Sequence, residues 1–316
     1  MINAHEKIAA VVVTYNRKQL LIKCLDAIKT QTRKPDILFI IDNLSNDGTP
    51  EILLEKKIIP KLPSKSPEVN EVIECVISTD TGLIELVYVR KSENDGGAGG
   101  FYEGLKRAFE SGVDWIWMMD DDGIPCKDQL RNLKKYSKKF SLKYCNAIVI
   151  NQESPEELAF GLNGIYYIKQ INDSEVIPRF MNPFNGTLIH REVPEKIGLI
   201  KKEMFIWGDE EEYTNRVKFN GYPVATITKA KHYHPPSRST FTKVLPPLPL
   251  RIILKPPERS SIYFRNLGYI NYTYNRMIFF KLLFKYNLYY LLRFKIKELC
   301  NFNLNFIDGA NDNFSK

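Results

Sequence analysis

The stretch Trp115-Ile116-Trp117-Met118-Met119-Asp120-Asp121-Asp122-Gly123 decides how this chain is read. An unbroken apolar run of this length, without alternation, fits a strand buried on both faces. The run stops at three consecutive acids and a glycine. In extended backbone Asp120 and Asp122 point the same way, so both could serve one ion. Adjacent carboxylates repel, and a hard divalent cation is the natural offset, because magnesium and manganese favour carboxylates and substrate phosphates. The competing reading is a solvated acidic turn.

Upstream, Asn94-Asp95-Gly96-Gly97-Ala98-Gly99-Gly100 joins a strand at Ile84–Val89 to a helix expected from about Phe101 to Ser111. Glycine permits positive φ and close backbone approach, and a helix N-terminus favours phosphate. The run is not G-x-G-x-x-G, because Tyr102 stands where the third glycine would fall, and it lacks the Gly-Lys-Ser/Thr ending of a P-loop. A plain structural turn is the alternative. Further upstream, Ile37–Ile41 is a second buried strand, closed by Asp42-Asn43-Leu44-Ser45-Asn46-Asp47-Gly48-Thr49. Thr49 is placed to cap a helix through Glu51–Lys57. Ile8–Val13 is a third such run, ended by Thr14-Tyr15-Asn16. Arg17–Lys29 then carries Leu20, Leu21, Cys24, Leu25 and Ile28 at helical spacing. Val72–Ile77 reads as a strand in an edge insertion.

Strands separated by helices, with polar loops at the strand ends, predict an α/β fold with a largely parallel sheet. Ligands of such sheets bind at the strands' carboxyl ends. The loops at Asp42, Gly96 and Asp120 are therefore expected to converge in one crevice.

Residues 146–240 read as a continuation with more mixed topology. Trp207-Gly208-Asp209-Glu210-Glu211-Glu212-Tyr213 opens an apparent helix, with Arg216 one turn later. Acids at a helix start suit the dipole; alternatively one of them is a general base that takes a proton from an acceptor hydroxyl. Lys231-His232-Tyr233-His234-Pro235-Pro236 holds two of the protein's 4 histidines. One of them could complete a metal shell with the aspartates, whereas a lone histidine would read as structural. Proline-rich stretches then mark a boundary, giving a domain over residues 1–240 and a basic, aromatic helical region over 241–316. Tyr263–Leu299 reads helical, punctuated by Arg265, Arg276, Lys281, Lys285, Arg293, Lys295 and Lys297. It has no stretch of about 18 uncharged apolar residues, so no spanning helix is expected.

With 316 residues, 44% hydrophobic and 26% charged, the chain has an ordinary globular balance that excludes disorder. Its 5 cysteines are scattered without a C-x-x-C pair, which excludes a zinc cluster and a disulfide framework and suits a reducing compartment. The N-terminus lacks the pattern of a secretory leader, so the expected location is cytoplasmic. A net charge of +8 implies an anionic partner; nucleic acid, an anionic membrane surface and a phosphorylated substrate all fit.

Val11-Val12-Val13-Thr14-Tyr15-Asn16-Arg17, the Asp42–Thr49 cluster and a triple aspartate at a strand end resemble family 2 glycosyltransferases. These are inverting, metal-dependent nucleotide-sugar enzymes of the GT-A fold, and the similarity covers roughly residues 8–236. Asn94–Phe101 resembles the branch of bacterial galactofuranosyltransferases and rhamnosyltransferases of cell-wall and surface-polysaccharide assembly. The resemblance implies a Rossmann-like nucleotide-sugar-binding domain with a C-terminal helical extension. It implies that Thr14, Tyr15, Asn16 and Arg17, with Asp42 and Asn43, hold the nucleoside. Asn94, Gly96 and Gly97 would approach the donor sugar or diphosphate, beside Asp120 and Asp121. Asp120, Asp122 and a histidine, His234 rather than His232 by spacing, would hold Mn2+ or Mg2+. The family's base motif falls on Asp209–Glu212, with Glu210 favoured over Asp209 as the base, although the family's usual residue there is Asp. Tyr263-Phe264-Arg265-Asn266 resembles an aromatic-Arg-Asn element of this branch.

The implied donor is UDP-galactofuranose, with dTDP-rhamnose as the alternative, and the acceptor a glycan or polyprenol-linked glycan. The basic C-terminal region suits the inner face of the plasma membrane, or a helical subdomain packed on the catalytic domain or on a second subunit of a homo-oligomer. A nucleotidyltransferase would need a Gly-rich basic loop where Thr14-Tyr15-Asn16-Arg17 stands. A nucleic-acid-binding module would set two acidic clusters against phosphate, so no nucleic acid partner is expected.

Overall fold

The structure is a computed structural model that describes residues 6–80, 82–236 and 241–315. Residues 1–5, read above for a leader, and residue 240, the expected boundary, lie outside the described ones. In chain order the elements of the first half are β1 (Ile8–Thr14), α1 (Lys18–Lys29), β2 (Ile37–Asp42), α2 (Thr49–Glu55), β3 (Glu71–Thr79), β4 (Gly82–Arg90), α3 (Gly96–Glu110), β5 (Trp115–Asp120), β6 (Ile124–Pro125) and α4 (Gln129–Lys139). The second half adds β7 (Tyr144–Asn151), β8 (Glu157–Leu162), β9 (Ile165–Tyr167), β10 (Val176–Pro178), β11 (Asn185–His190), α5 (Glu192–Ile197), α6 (Asp209–Phe219), β12 (Val224–His234), β13 (Phe241–Lys243), β14 (Arg251–Ile253), α7 (Pro257–Tyr274), α8 (Arg276–Leu291) and α9 (Ile296–Ala310).

The chain forms two compact units. The first holds residues up to 200 together with 216–236, and the second holds 201–215 together with the C-terminal segment. The division falls within α6.

The first unit is built on a mixed sheet in the order β10-β12-β7-β11-β5-β1-β2-β4-β3. β4, β2, β1 and β5 run parallel. β11 is inserted antiparallel between β5 and β7, and β7 and β12 are parallel to each other. Alternate residues of β1 face opposite layers, as a period of two dictates. Ile8, Ala10 and Val12 pack with Leu21, Leu25 and Ile28 of α1 and Leu130 and Leu133 of α4. Val11 and Val13 face α3, where a Cβ at Gly104 would come within 2.3 Å of Val11 Cγ1 and one at Gly100 within 2.4 Å of Val13 Cγ1.

That contact explains a departure from the sequence reading. The glycine run is not a turn before the helix: α3 begins at Gly96 and includes it. Only Gly96 takes a positive φ, of 76°. Of the other glycines in the run, which are helical, Gly100 lets the helix sit against the sheet, whereas a Cβ at Gly97 would meet open space and one at Gly99 the Asp95 side chain. Thr49 is likewise the first residue of α2 and not its cap. Its hydroxyl donates to Asp47 Oδ1 at 2.5 Å, and Gly48, at φ 89°, starts the helix.

In the second unit the expected single helical stretch is three helices, broken at Asn275 and again between α8 and α9. The Asn275 side chain accepts from Ile278 N at 3.1 Å and so caps α8. α7 and α9 touch backbone to backbone, since a Cβ at Gly268 would lie 2.0 Å from Phe306 O and one at Gly309 1.8 Å from Arg265 O. Around that crossing Phe264, Phe279, Tyr286, Phe302 and Phe306 form an aromatic core. Tyr286 and Phe302 stack at 4.6 Å, as do Phe279 and Phe306. No helix among the described residues is long and apolar enough to cross a membrane.

Candidate active site

Sheet register sets Thr14 opposite Asp42, Asp42 opposite Arg90, and Val13 opposite Asp120. Four polar side chains therefore line the carboxyl edge of β1, β2, β4 and β5, the edge at which ligands of such sheets bind. Asp42 is fully buried and fully used. Its Oδ2 accepts from Arg90 Nη1 at 2.7 Å and from Tyr88 OH at 2.6 Å, and its Oδ1 accepts from Ser45 N at 2.8 Å. Burial, with the Asp42 charge beside it, pushes the Tyr88 phenol far above its ordinary pKa. Arg90 also donates to Ser45 O at 2.7 Å, so the loop 43–47 is tied to β4. Asn43 donates from Nδ2 to Gly96 O at 2.9 Å, and Asn94 Oδ1 accepts from Gly96 N at 3.0 Å. The Asp42 loop thus meets the start of α3. Asn16, at φ 53°, accepts on Oδ1 from Asn46 N at 2.7 Å, while Tyr15 is 42% exposed and open to a ligand.

The three aspartates have different environments. Asp121 turns inward, with Oδ2 accepting from Thr14 Oγ1 at 2.6 Å and Oδ1 from Arg17 Nη1 at 3.2 Å. Burial raises its pKa to about 6 against the pull of Thr14 and Arg17. Asp122 lies between Arg17 and His234. Its Oδ2 accepts from Arg17 Nη1 at 2.7 Å, and its Oδ1 is 3.1 Å from His234 Nε2. Burial opposes its ionisation, but His234 and Arg17 together hold it below the usual carboxylate range. Burial and the charges of Asp122 and Asp121 push Asp120 up to about 8.

β6 brings β12 here, since Ile124 and Pro125 pair with Tyr233 and His232 directly after the aspartate turn. The two histidines then part ways. His232 is buried, its Nδ1 is 3.2 Å from Gln129 Oε1, and burial drives its pKa down to about 3. Its ring fills the space that a Cβ on Gly123 would need, 2.1 Å from Nε2. His234 Nδ1 donates to Pro235 O at 2.7 Å, and its ring lies against Phe160 at 5.0 Å. Burial lowers the pKa of His234, but its bond to Asp122 outweighs that and raises it.

Among the described residues no group of three or more His, Cys, Asp or Glu is placed, as it stands, to hold a metal ion. The donor chemistry nevertheless fits a divalent cation. With Nδ1 of His234 engaged, Nε2 is the ring atom left to coordinate. Burial first, and then the charges of Asp122 and Asp121, disfavour an ionised Asp120, and a bound cation would offset both. Two carboxylates and an imidazole are a set that Mn2+ accepts.

The acids at 209–212 belong to the second unit and are held by its own residues. The segment before them bends through Phe205 at φ 63°, Trp207 at φ 63° and Gly208 at φ 119°. Asn266 of α7, fully buried, donates from Nδ2 to Met204 O, Ile206 O and Trp207 O at 2.8, 3.0 and 3.0 Å. Arg265 Nη2 donates to Glu203 O at 3.0 Å. The aromatic-Arg-Asn element is therefore a clamp on this loop. Its chemical signal was an Arg-Asn pair inside an aromatic helix, where only backbone carbonyls would explain the polar groups. Asp209 and Glu212 are buried, and Glu212 accepts from Tyr274 OH at 2.9 Å. Glu210 is only partly buried, with Oε2 accepting from Gly208 N at 3.1 Å. Arg90 was the functional-edge residue missed from sequence. It stands one residue past the strand expected at Ile84–Val89, and a charge at a strand end carries no sequence signal that separates a buried ion pair from a solvated terminus.

Comparison with known proteins then fixes the family. The family model "Glycosyl transferase family 2" matches residues 9–198. This chain belongs to family 2 of the glycosyltransferases. The glycosyltransferase is 31% identical over 252 residues to "Galactofuranosyltransferase GlfT1" of Mycolicibacterium smegmatis, across 76% of this chain and 74% of that one. It is 30% identical over 273 residues to the protein of the same name from Mycobacterium tuberculosis, across 84% and 82%. Among solved structures, S. aureus TarS aligns with a TM-score of 0.52 and 14% identity, over 84% of this chain and 39% of that one. GalNAc-T7 with UDP, GalNAc and Mn2+ aligns with a TM-score of 0.55 and 13% identity, over 85% and 48%. At such identities these two speak for the fold, which is the GT-A type of α/β fold with C-terminal helices.

Proposed function

We propose that this glycosyltransferase transfers galactofuranose from UDP-galactofuranose, with inversion, to a glycan or polyprenol-linked glycan acceptor, using Mn2+ or Mg2+. The single observation that carries the metal-dependent donor reading is the His234–Asp122 pair, 3.1 Å apart, beside Asp120 at the carboxyl edge of the sheet. The galactofuranose assignment draws on the names of its relatives.

In this reading Asn43, with Thr14, Tyr15, Asn16 and Arg17, receives the nucleoside and its phosphates. Asp42, expected from sequence to do the same, is buried against Arg90, Tyr88 and Ser45 and instead holds the loop that carries Asn43. Asn94, Gly96 and Gly97 approach the donor sugar or diphosphate from the start of α3, and Asp121 holds Thr14 in place. Asp120, Asp122 and His234 would hold the divalent ion, whose chemistry is to neutralise the charge that develops on the departing nucleoside diphosphate. Glu210 takes the proton of the acceptor hydroxyl as that oxygen attacks the anomeric carbon from the face opposite the diphosphate. Its partial exposure favours it over buried Asp209 for a group that must meet substrate.

The acceptor end of the proposal extends to the membrane. Phe280 and Phe284 on α8 are each 61% exposed and Phe294 after it is 88% exposed, interleaved with Lys281, Lys285, Arg293, Lys295 and Lys297. Aromatics among cations suit an anionic bilayer surface. Pelleting with anionic vesicles, lost in Phe280→Ser/Phe294→Ser, is the expected outcome. Self-association of the wild type without vesicles would instead point to a homo-oligomer.

Calorimetry with UDP, dTDP, GDP and ADP, each with Mn2+ and with EDTA, tests the donor site. UDP binding that requires Mn2+ and is lost in Asp122→Ala is expected. A preference for dTDP would move the donor to dTDP-rhamnose within the same family, and retained configuration at the product's anomeric carbon would overturn the direct displacement.

A further inference from the structure

We infer that Arg17 is a tethered cation that neutralises the Asp121–Asp122 pair while no divalent ion is bound, and that it passes to the donor's diphosphate when the ion arrives. This rests on the proposed metal-dependent reading of the site and adds to it an exchange of partners within the chain.

One nitrogen, Arg17 Nη1, serves both carboxylates, Asp122 Oδ2 at 2.7 Å and Asp121 Oδ1 at 3.2 Å. The acids are 13% and 2% exposed, while the Arg17 side chain is 48% exposed. The anionic side of the contact is thus fixed in the fold, and the cationic side faces solvent on a flexible stem. The Arg17 backbone does not need to move for the side chain to leave, because its carbonyl anchors the first turn of α1, accepting from Leu20 N and Leu21 N at 3.0 Å each. Asp121 does not depend on Arg17 alone, since Thr14 Oγ1 donates to its other oxygen at 2.6 Å.

Asp122 is where the two cations conflict. One oxygen faces Arg17 and the other faces His234. An ion held by Asp122 and His234 would place two positive charges on the carboxylate that Arg17 already grips, and like charges that share one carboxylate repel in a partly dehydrated site. The ion alone must therefore displace Arg17 into water. When the ion arrives with a nucleoside diphosphate, the guanidinium has a new anionic partner, and its fork matches phosphate oxygens in pairs. The consequence is that Mn2+ and the nucleotide bind cooperatively, with Arg17 as the carrier of the coupling.

The test is calorimetry on the full chain with MnCl2 alone, UDP alone, and UDP in saturating Mn2+, for the wild type, Arg17→Gln and Arg17→Lys. Arg17→Gln is expected to bind Mn2+ alone about 5- to 10-fold more tightly than the wild type, the low end of ordinary site–site coupling. It is expected to bind UDP in saturating Mn2+ about tenfold more weakly, having lost a charge-assisted phosphate contact. Arg17→Lys keeps the charge without the fork, so its affinity for Mn2+ alone should stay near the wild-type value while UDP binding weakens. Unchanged or weaker Mn2+ binding by Arg17→Gln, with its melting temperature in EDTA within a few degrees of wild type, overturns the inference. If Arg17→Gln does not fold, the Arg17→Lys pattern decides: tighter Mn2+ binding or undiminished UDP binding there overturns it. If neither Mn2+ nor Mn2+ with UDP binds the wild type, the metal-dependent reading fails first, and that result is distinct from the others.

Discussion

Arg90→Met tests how the sheet edge is held together. The substitution keeps an apolar stem of similar length and removes the guanidinium that meets Asp42 with both groups almost wholly buried, at 5% and 0% exposure. Asp42 would keep its bonds from Tyr88 OH and Ser45 N but lose its only cationic partner among the described residues. Breaking a buried pair from one side leaves an uncompensated charge and costs about 3–5 kcal/mol. The lost donors to Ser45 O, in a buried bond, and to Lys65 O, in a part-buried one, add to that cost. Adding Asp42→Asn removes the stranded charge while leaving an acceptor for Tyr88, so the double variant should recover about 2 kcal/mol or more, the scale of coupling seen between directly contacting partners. Urea unfolding of the full chain, followed by tryptophan fluorescence to which Trp115 and Trp117 of β5 contribute, measures each variant. A cost below about 1 kcal/mol for Arg90→Met, the scale of a single ordinary hydrogen bond, would refute the reasoning. So would a double variant whose cost equals the sum of the singles.

Gly104→Ala should destabilise by about 1–3 kcal/mol through overpacking on Val11. In a Val11→Ala background the same change should lose that penalty and gain up to about 1 kcal/mol of helix propensity, and equal effects in both backgrounds would refute the contact. Asn266→Asp should lower the melting temperature more than Asn266→Ala, because it turns a donor to three carbonyls into a charge facing them; the reverse order would exclude the clamp. Mn2+ at a hundred times its dissociation constant should stabilise the protein by about 2.7 kcal/mol, read as a thermal shift reversed by EDTA and absent in Asp122→Asn.

The parallel half of the sheet was legible because β1, β2 and β5 are buried on both faces and read as uninterrupted apolar runs. Each is followed by polar residues that have no place in a core. β11 was hidden because an antiparallel strand in mid-sheet, Asn185–His190, carries no signal that separates it from a loop-bounded apolar stretch. The glycine run was legible as a site of close approach but not as helix. Gly100 and Gly104 sit one turn apart and lie on β1, and only the packing shows why side chains are missing there. The aspartates were legible as a cluster, yet their division of labour depends on partners about a hundred residues away: Thr14 and Arg17 for Asp121, and His234 for Asp122. Arg17 was legible within the Thr14–Arg17 motif, but Arg90 was not, since a charge at a strand end reads the same whether it meets solvent or a buried acid.

The clamp on the acidic loop bears on how this protein can be cut. Residues 201–215 precede the first unit's last strand, β12, in the chain, yet their fold is completed by Arg265, Asn266 and Tyr274. A gene truncated after residue 240 would encode every acid proposed for chemistry and still deliver Asp209–Glu212 on a segment stripped of its scaffold. Loss of activity in such a truncation would say nothing about membrane attachment or acceptor binding by the C-terminal helices. Point substitutions on the outer face of α8 separate those roles, and a shortened expression variant does not.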